Sequence, residues 1–145
     1  MAVTANFAQT PNLGRARISG VGAANTARDG SGVEGTTIFL AFTAGANGSR
    51  VDRFIAIAAG TLAATTAGVI RVFISSAGGV NKRLWREWQV TAVTPSASAL
   101  GYTNYTTSKI DGGLALKAGE QIWVTSHFAD AAGNQFDITV EGGDF

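Results

Sequence analysis

Short runs of β-branched and aromatic residues recur along the chain at 36–42, 50–58, 69–74, 83–91, 121–128 and 135–141, each bounded by Gly, Asn, Asp or Ser. The last is the most regular. Phe136, Ile138 and Val140 point one way and Asp137, Thr139 and Glu141 the other, the period of two of a strand with one buried face. Within 69–74, Ile70, Val72 and Ile74 likewise turn inward and Arg71 outward. Weaker runs at 16–21, 102–110 and 113–116 bring the strands to eight or nine. Helix has little support, because the alanine-rich stretch 56–67 is crowded with Thr and Gly and lacks apolar residues at spacings of three and four. The pattern predicts an all-β chain folded as a single-domain antiparallel β-sandwich, jelly-roll-like.

Turn chemistry punctuates these runs. Asn47-Gly48 is the strongest hairpin signal, since both residues accept the positive φ values of a tight turn. The segments 77–81 and 131–134 serve the same purpose, and 60–68 reads as a loop. Residues 1–35 differ in character: small, polar and interrupted by Pro11, Gly14, Gly20, Gly22, Gly30, Gly32 and Gly35. They read as an extended N-terminal arm and glycine-rich loop, with the sandwich occupying 36–145. An arm needs a surface to lie against.

Composition narrows the function classes. At 145 residues with 46% hydrophobic, the chain supplies the core of one domain without disulfides or metal. The absence of cysteine removes thiolate catalysis and zinc-finger sites. No segment reads as a signal peptide or a membrane span, and a formal charge of +1 gives no electrostatic footprint for nucleic acid or an anionic membrane. The chain therefore reads as soluble, with neither as partner.

Candidate chemistry is sparse. Gly30-Ser-Gly-Val-Glu-Gly35 matches the dinucleotide-binding glycine pattern, but that motif needs a strand before it and a helix after it, whereas a β-type run follows here. His127 is the single histidine, so any triad or histidine metal site must use it, and no nucleophile or ligand motif accompanies it. Asp130, Asn134 and Asp137 lack the spacing of a calcium loop and read as turn formers. Asn47-Gly-Ser49 and Asn104-Tyr-Thr106 are glycosylation sequons that matter only in a secretory pathway. Asp52, Glu87, Asp111, Glu120, Asp137 and Glu141 are scattered over different strands and loops, and nothing marks two of them as a hydrolytic pair. The expectation is a protein that is not an enzyme and needs no cofactor or metal.

Lys82-Arg-Leu-Trp-Arg-Glu-Trp88 concentrates the residue types that dominate binding interfaces. On a regular strand Leu84, Arg86 and Trp88 share one face and Trp85 and Glu87 the other, so at least one tryptophan packs in the core, and the second is open equally to packing there or to a subunit or ligand surface.

Ala24-Asn-Thr-Ala-Arg-Asp-Gly30, Phe42-Thr-Ala-Gly-Ala-Asn-Gly-Ser-Arg-Val-Asp-Arg53, Thr66-Ala-Gly-Val-Ile-Arg-Val-Phe-Ile74, Val90-Thr-Ala-Val-Thr-Pro-Ser96 and the ending Glu141-Gly-Gly-Asp-Phe145 together resemble a family of small virion-associated proteins encoded by tailed bacteriophages. A β-sandwich of this size in that setting resembles capsid decoration, or cement, proteins. The resemblance implies a place on the outer surface of the capsid after synthesis in the host cytoplasm, with the major capsid protein as partner. Symmetry at three-fold lattice points favours a homotrimer. The interface residues expected on this reading are Phe7, Leu13, Arg15, Arg17 and Arg28 in the arm and Trp85, Arg86 and Trp88 in the body; the arginines would meet acidic groups on the capsid. The alternative is a tail or fibre component that binds a host glycan through loops 60–68 and 96–104, with Trp85, Tyr102 or Tyr105 as a stacking platform.

Overall fold

The alternating runs pair into eight antiparallel strands: β1 (Thr10–Ser19), β2 (Phe39–Thr43), β3 (Ser49–Gly60), β4 (Gly68–Ser75), β5 (Arg83–Val90), β6 (Thr107–Leu116), β7 (Gln121–Ser126) and β8 (Asn134–Asp144). The computed structural model describes residues 10–19, 24–60, 67–94, 96, 98, 107–127 and 134–145, with backbone alone for 19, 60, 107–112 and 134. One four-stranded sheet has the order β1-β8-β3-β6 and the other β2-β7-β4-β5. We call them sheet I and sheet II. The expected all-β sandwich is the observed architecture. Its pairing is nested: β1 with β8, β2 with β7, β3 with β6 and β4 with β5. The chain thus runs as one long hairpin, bent at the 3-10 turn Ala77–Gly79 and doubled over so that its two arms alternate between sheets.

Inward residues of both sheets form the core. Phe42, Phe54, Ile70, Val72, Ile122, Val124, Phe136, Ile138 and Val140 are all buried, and each contributes about 1.5–3 kcal/mol by leaving water. On β8 the alternation of Phe136, Ile138 and Val140 with Asp137, Thr139 and Glu141 fixes the register, because a slip of one residue would turn all three apolar side chains outward. The hairpin at Asn47-Gly48 forms as its sequence requires, with Gly48 at φ +91° and its N–H donating to the Gly45 carbonyl.

One side of the sandwich is closed by the approach of β1 to β2. Gly14 is essential there: a Cβ at that position would strike the Ala41 carbonyl oxygen and lie 2.8 Å from the Phe42 Cβ. Asn12 adds an amide hydrogen bond to the Thr43 carbonyl, 3.1 Å. At the same end, Asp144 accepts from Asn12 at 2.7 Å and from the Ser49 hydroxyl, tying β1, β3 and β8 together.

The N-terminal segment differs from the sequence expectation. Residues 10–19 are a strand of the sandwich rather than an arm, paired with β8 from Thr10↔Asp144 to Ser19↔Gln135. Leu13, Arg15 and Arg17 alternate with Gly14, Ala16 and Ile18, a strand pattern obscured by Pro11 and two small inward residues. Pro11 is accommodated because β1 is an edge strand. Residues 24–38 are also part of the body. Ala24 bridges to Ser126, and the Asn25 N–H donates to the Ser126 carbonyl at 2.8 Å. The Asn25 amide then holds the carbonyls of Ser31 and Thr37, closing a strap over the outer face of sheet II. Residues 10–19 and 24–38 thus pack with the sandwich on both sides of residue 35. Phe7 lies outside the described residues.

Candidate functional site

The outer faces of the two sheets are built differently. On sheet II the strap buries a second, smaller cluster of Ile38, Phe73 and Trp123, flanked by Leu40 and Leu84. Its latch is ionic. Arg28 forms two 3.0 Å hydrogen bonds to the Glu87 carboxylate, and Arg71 donates a third at 2.8 Å. The Arg71 side chain is 8% exposed and also donates to the Asn25 carbonyl, so strap, β4 and β5 meet at one carboxylate. The Arg71 hydrogen bond first, and the second guanidinium of Arg28 after it, hold the Glu87 pKa below the ordinary carboxylate range. Arg28, expected to be available for a partner, is thus engaged within its own chain.

Sheet I carries no such cover among the described residues. Its outward positions follow from the register as cross-strand rungs: Leu13, Glu141 and Arg53; Arg15, Thr139 and Ile55; Arg17, Asp137 and Ile57. The first and third rungs contain ion pairs, Arg53 with Glu141 at 3.2 Å and Arg17 with Asp137 at 2.8 Å. The hydrogen bond from Arg17 to Asp137, reinforced by their opposite charges, pushes the arginine pKa up. The middle rung has no acid. Arg15 is exposed and, among the described residues, pairs with none. It borders a groove of about 550 Å³ with Arg17, Asp137 and Thr139. Beside this groove Leu13 is 50% and Ile57 41% exposed, leaving apolar surface at both ends of the charged rungs.

Trp85, Arg86 and Trp88 lie on β5, at the edge of sheet II. The sequence expectation of tryptophans on opposite faces fails. The pairing slips from Val72↔Arg86 to Phe73↔Leu84, so a bulge changes the parity of the strand at Trp85. Both tryptophans consequently pack against the main core, while Leu84 joins the strap cluster and Glu87 faces the latch. Trp88 reaches across to Phe54, with ring centroids 4.6 Å apart. The Arg86 guanidinium lies 4.8 Å from the Trp85 ring centroid, so this half-buried ring is already stacked within the chain. A second cavity of about 370 Å³ opens beside it, lined by Trp85, Arg83, Asn81, Ser76 and Glu120 among others.

The remaining candidates are structural in their geometry. His127 pairs with the β4 end: its Nδ1 accepts from the Val69 N–H at 3.2 Å, and its N–H donates to the Val69 carbonyl at 2.9 Å. Gly30 to Gly35 belongs to the strap and leads into a turn and β2, with no helix at its end. Asp52 pairs with Arg50 at 2.7 Å, and Glu120 accepts from the Lys117 N–H at 2.8 Å. Among the described residues no three metal-ligating side chains converge. Asp130, Tyr102, Tyr105 and most of loops 60–68 and 96–104 lie outside the described residues, as does the Asp111 side chain.

The sequence reading named Leu13, Arg15 and Arg17 as members of an arm; the structure places them side by side on the outward positions of β1. The sequence reading missed Ile55, Ile57 and Thr139, which complete that surface. The available signal was the outward phase of 50–58 and 135–141, legible only once the pairing of β1, β8 and β3 is known. No family model matches the chain, and no curated protein is similar to it in sequence.

Proposed function

We propose that this protein is a structural component of a tailed-bacteriophage virion, a decoration protein that binds the outer surface of the major capsid protein lattice and stabilises the mature head. The observation that carries this reading is the asymmetry of the sandwich: the chain's own strap covers one outer face, and among the described residues a mixed apolar and charged face is left open on the other. A body of this kind suits a clamp. Binding only the assembled lattice stabilises it by mass action, and a preformed face loses little entropy on docking. The nested strand pairing, read as a jelly roll, gives such a body a single core from both chain halves. The phage resemblance supplies the setting, and a homotrimer at three-fold lattice points is the assembly it favours. The activity of such a protein is binding; it uses no cofactor, membrane or nucleic acid.

Quantitative mass spectrometry of purified virions tests this directly. A copy number comparable to that of the capsid subunits is the expected result. A handful of copies per particle would place the protein in the tail or at a vertex, where the glycan-binding alternative applies, and its absence from virions would sink the virion reading altogether.

A further inference from the structure

We infer that the outer face of sheet I is the docking surface, and that its central contact is a partner carboxylate seated between Arg15 and Thr139 with apolar side chains packed on Ile55, Ile57 and Leu13. This deepens the decoration reading and rests on it. Asp137 and Glu141 are each neutralised by an arginine of a neighbouring strand, Arg17 and Arg53, which leaves Arg15 in the middle rung as the cation without a described partner. It lines a shallow groove of about 550 Å³, and Thr139, its cross-strand neighbour, brings a hydroxyl donor to the same groove. The complement is therefore an acidic group, held by a charge-assisted hydrogen bond between two rungs whose charges are already paired.

The apolar part of the face is aligned with it. Ile55 and Ile57 continue the second and third rungs on β3, and Leu13 begins the first on β1, so burying them dries the centre where the ion pair forms. A partner presenting an acid flanked by aliphatic side chains satisfies all of these positions at once. A second copy of this chain does so poorly, because its own acids on this face are already paired with Arg17 and Arg53.

The test uses phage heads assembled without the protein, to which purified intact protein is added back. Wild type should saturate the heads. Arg15→Glu should bind at least tenfold more weakly and Arg15→Gln show an intermediate loss, while Lys117→Glu, an exposed charge reversal at the end of the sandwich, should bind like wild type. Circular dichroism checks that the variants fold. If wild type binds and Arg15→Glu binds equally well, the surface assigned here is wrong although the decoration reading stands. If wild type does not bind the heads, that reading falls and takes the docking surface with it. A face-to-face dimer in solution that Arg15→Glu dissolves would replace the capsid partner with a second copy and overturn the inference.

Discussion

Replacing Gly14 with alanine tests whether β1 is an integral strand. The added Cβ would collide with the Ala41 carbonyl oxygen and sit 2.8 Å from the Phe42 Cβ and 2.9 Å from its Cα. Comfortable carbon contacts lie near 3.5–4.0 Å, so β1 and β2 must separate by about 1 Å. Neither side can yield by rotating a side chain, because the obstructing atoms include backbone. Overpacking of this kind costs about 1–3 kcal/mol. Opening the corner also uncovers part of Phe42, now 2% exposed, at about 25 cal/mol per Å². Together these give a loss of about 2–4 kcal/mol. For a domain of this size that is a fall in Tm of about 6–12 °C. Thermal unfolding followed by circular dichroism provides the measurement. Gly35→Ala is the comparison: φ there is +74°, yet the new Cβ meets nothing within 4 Å, so its cost is only that of the backbone, about 1 kcal/mol. A Gly14→Ala protein melting within 1 °C of wild type would show that residues 10–19 do not pack against β2, and the sandwich would have to be redrawn with a free arm.

Three further outcomes are expected. Glu87→Gln weakens the strap by leaving the buried Arg71 guanidinium facing a neutral amide, so limited proteolysis should cut within 24–38 faster than in wild type; an unchanged cleavage rate would show that the latch contributes nothing. Asp144 titrates below the ordinary carboxylate range, chiefly because the Ser49 hydroxyl and then the Asn12 amide donate to its charged form. A depressed folded pKa stabilises the protein above the unfolded value, about 3.9, and that stabilisation disappears as pH falls through the folded pKa. Asp144→Asn should accordingly be less stable than wild type near pH 7, with the gap closing below about pH 4, and a gap that stays constant down to pH 2 would contradict this. Trp88→Ala removes the ring stacked near Phe54 and should cost about 3 kcal/mol in urea unfolding, whereas a loss under 1 kcal/mol would mean that Trp88 faces solvent.

The strands legible in the sequence were those whose two faces differ most. In 135–141 the inward residues are Phe, Ile and Val and the outward ones Asp, Thr and Glu, and β8 follows that alternation over this stretch. β1 was seen only in part, as the weak run at 16–21, because its inward positions are small: Gly14 is required by the close approach to β2 and Ala16 packs on the core, tertiary requirements with no local signature. The strap was missed for a related reason. Its anchors are Asn25 and Arg28, polar residues whose partners lie far away in the chain, at Ser126 and Glu87. Local sequence reads such residues as a solvated loop. The parity error at Trp85 and Trp88 has a third cause, since one extra residue in a bulge reverses the alternation and leaves no mark in residue type. Arg15 and Arg17 were named only as cations of an arm; that they share a face, and that its apolar half lies on β3, became visible only through the register with β8.

The most direct test of the account is hydroxyl-radical footprinting of the protein free and bound to phage heads. The exposed aliphatic residues report on different parts of the surface: Leu13 and Ile57 flank the open face of sheet I, while Val33 lies in the strap over sheet II and Val80 in the turn before β5. Docking through sheet I predicts that Leu13 and Ile57 lose reactivity on the particle and that Val33 and Val80 keep theirs. Protection of Val33 and Val80, with Leu13 and Ile57 still reactive, would contradict it.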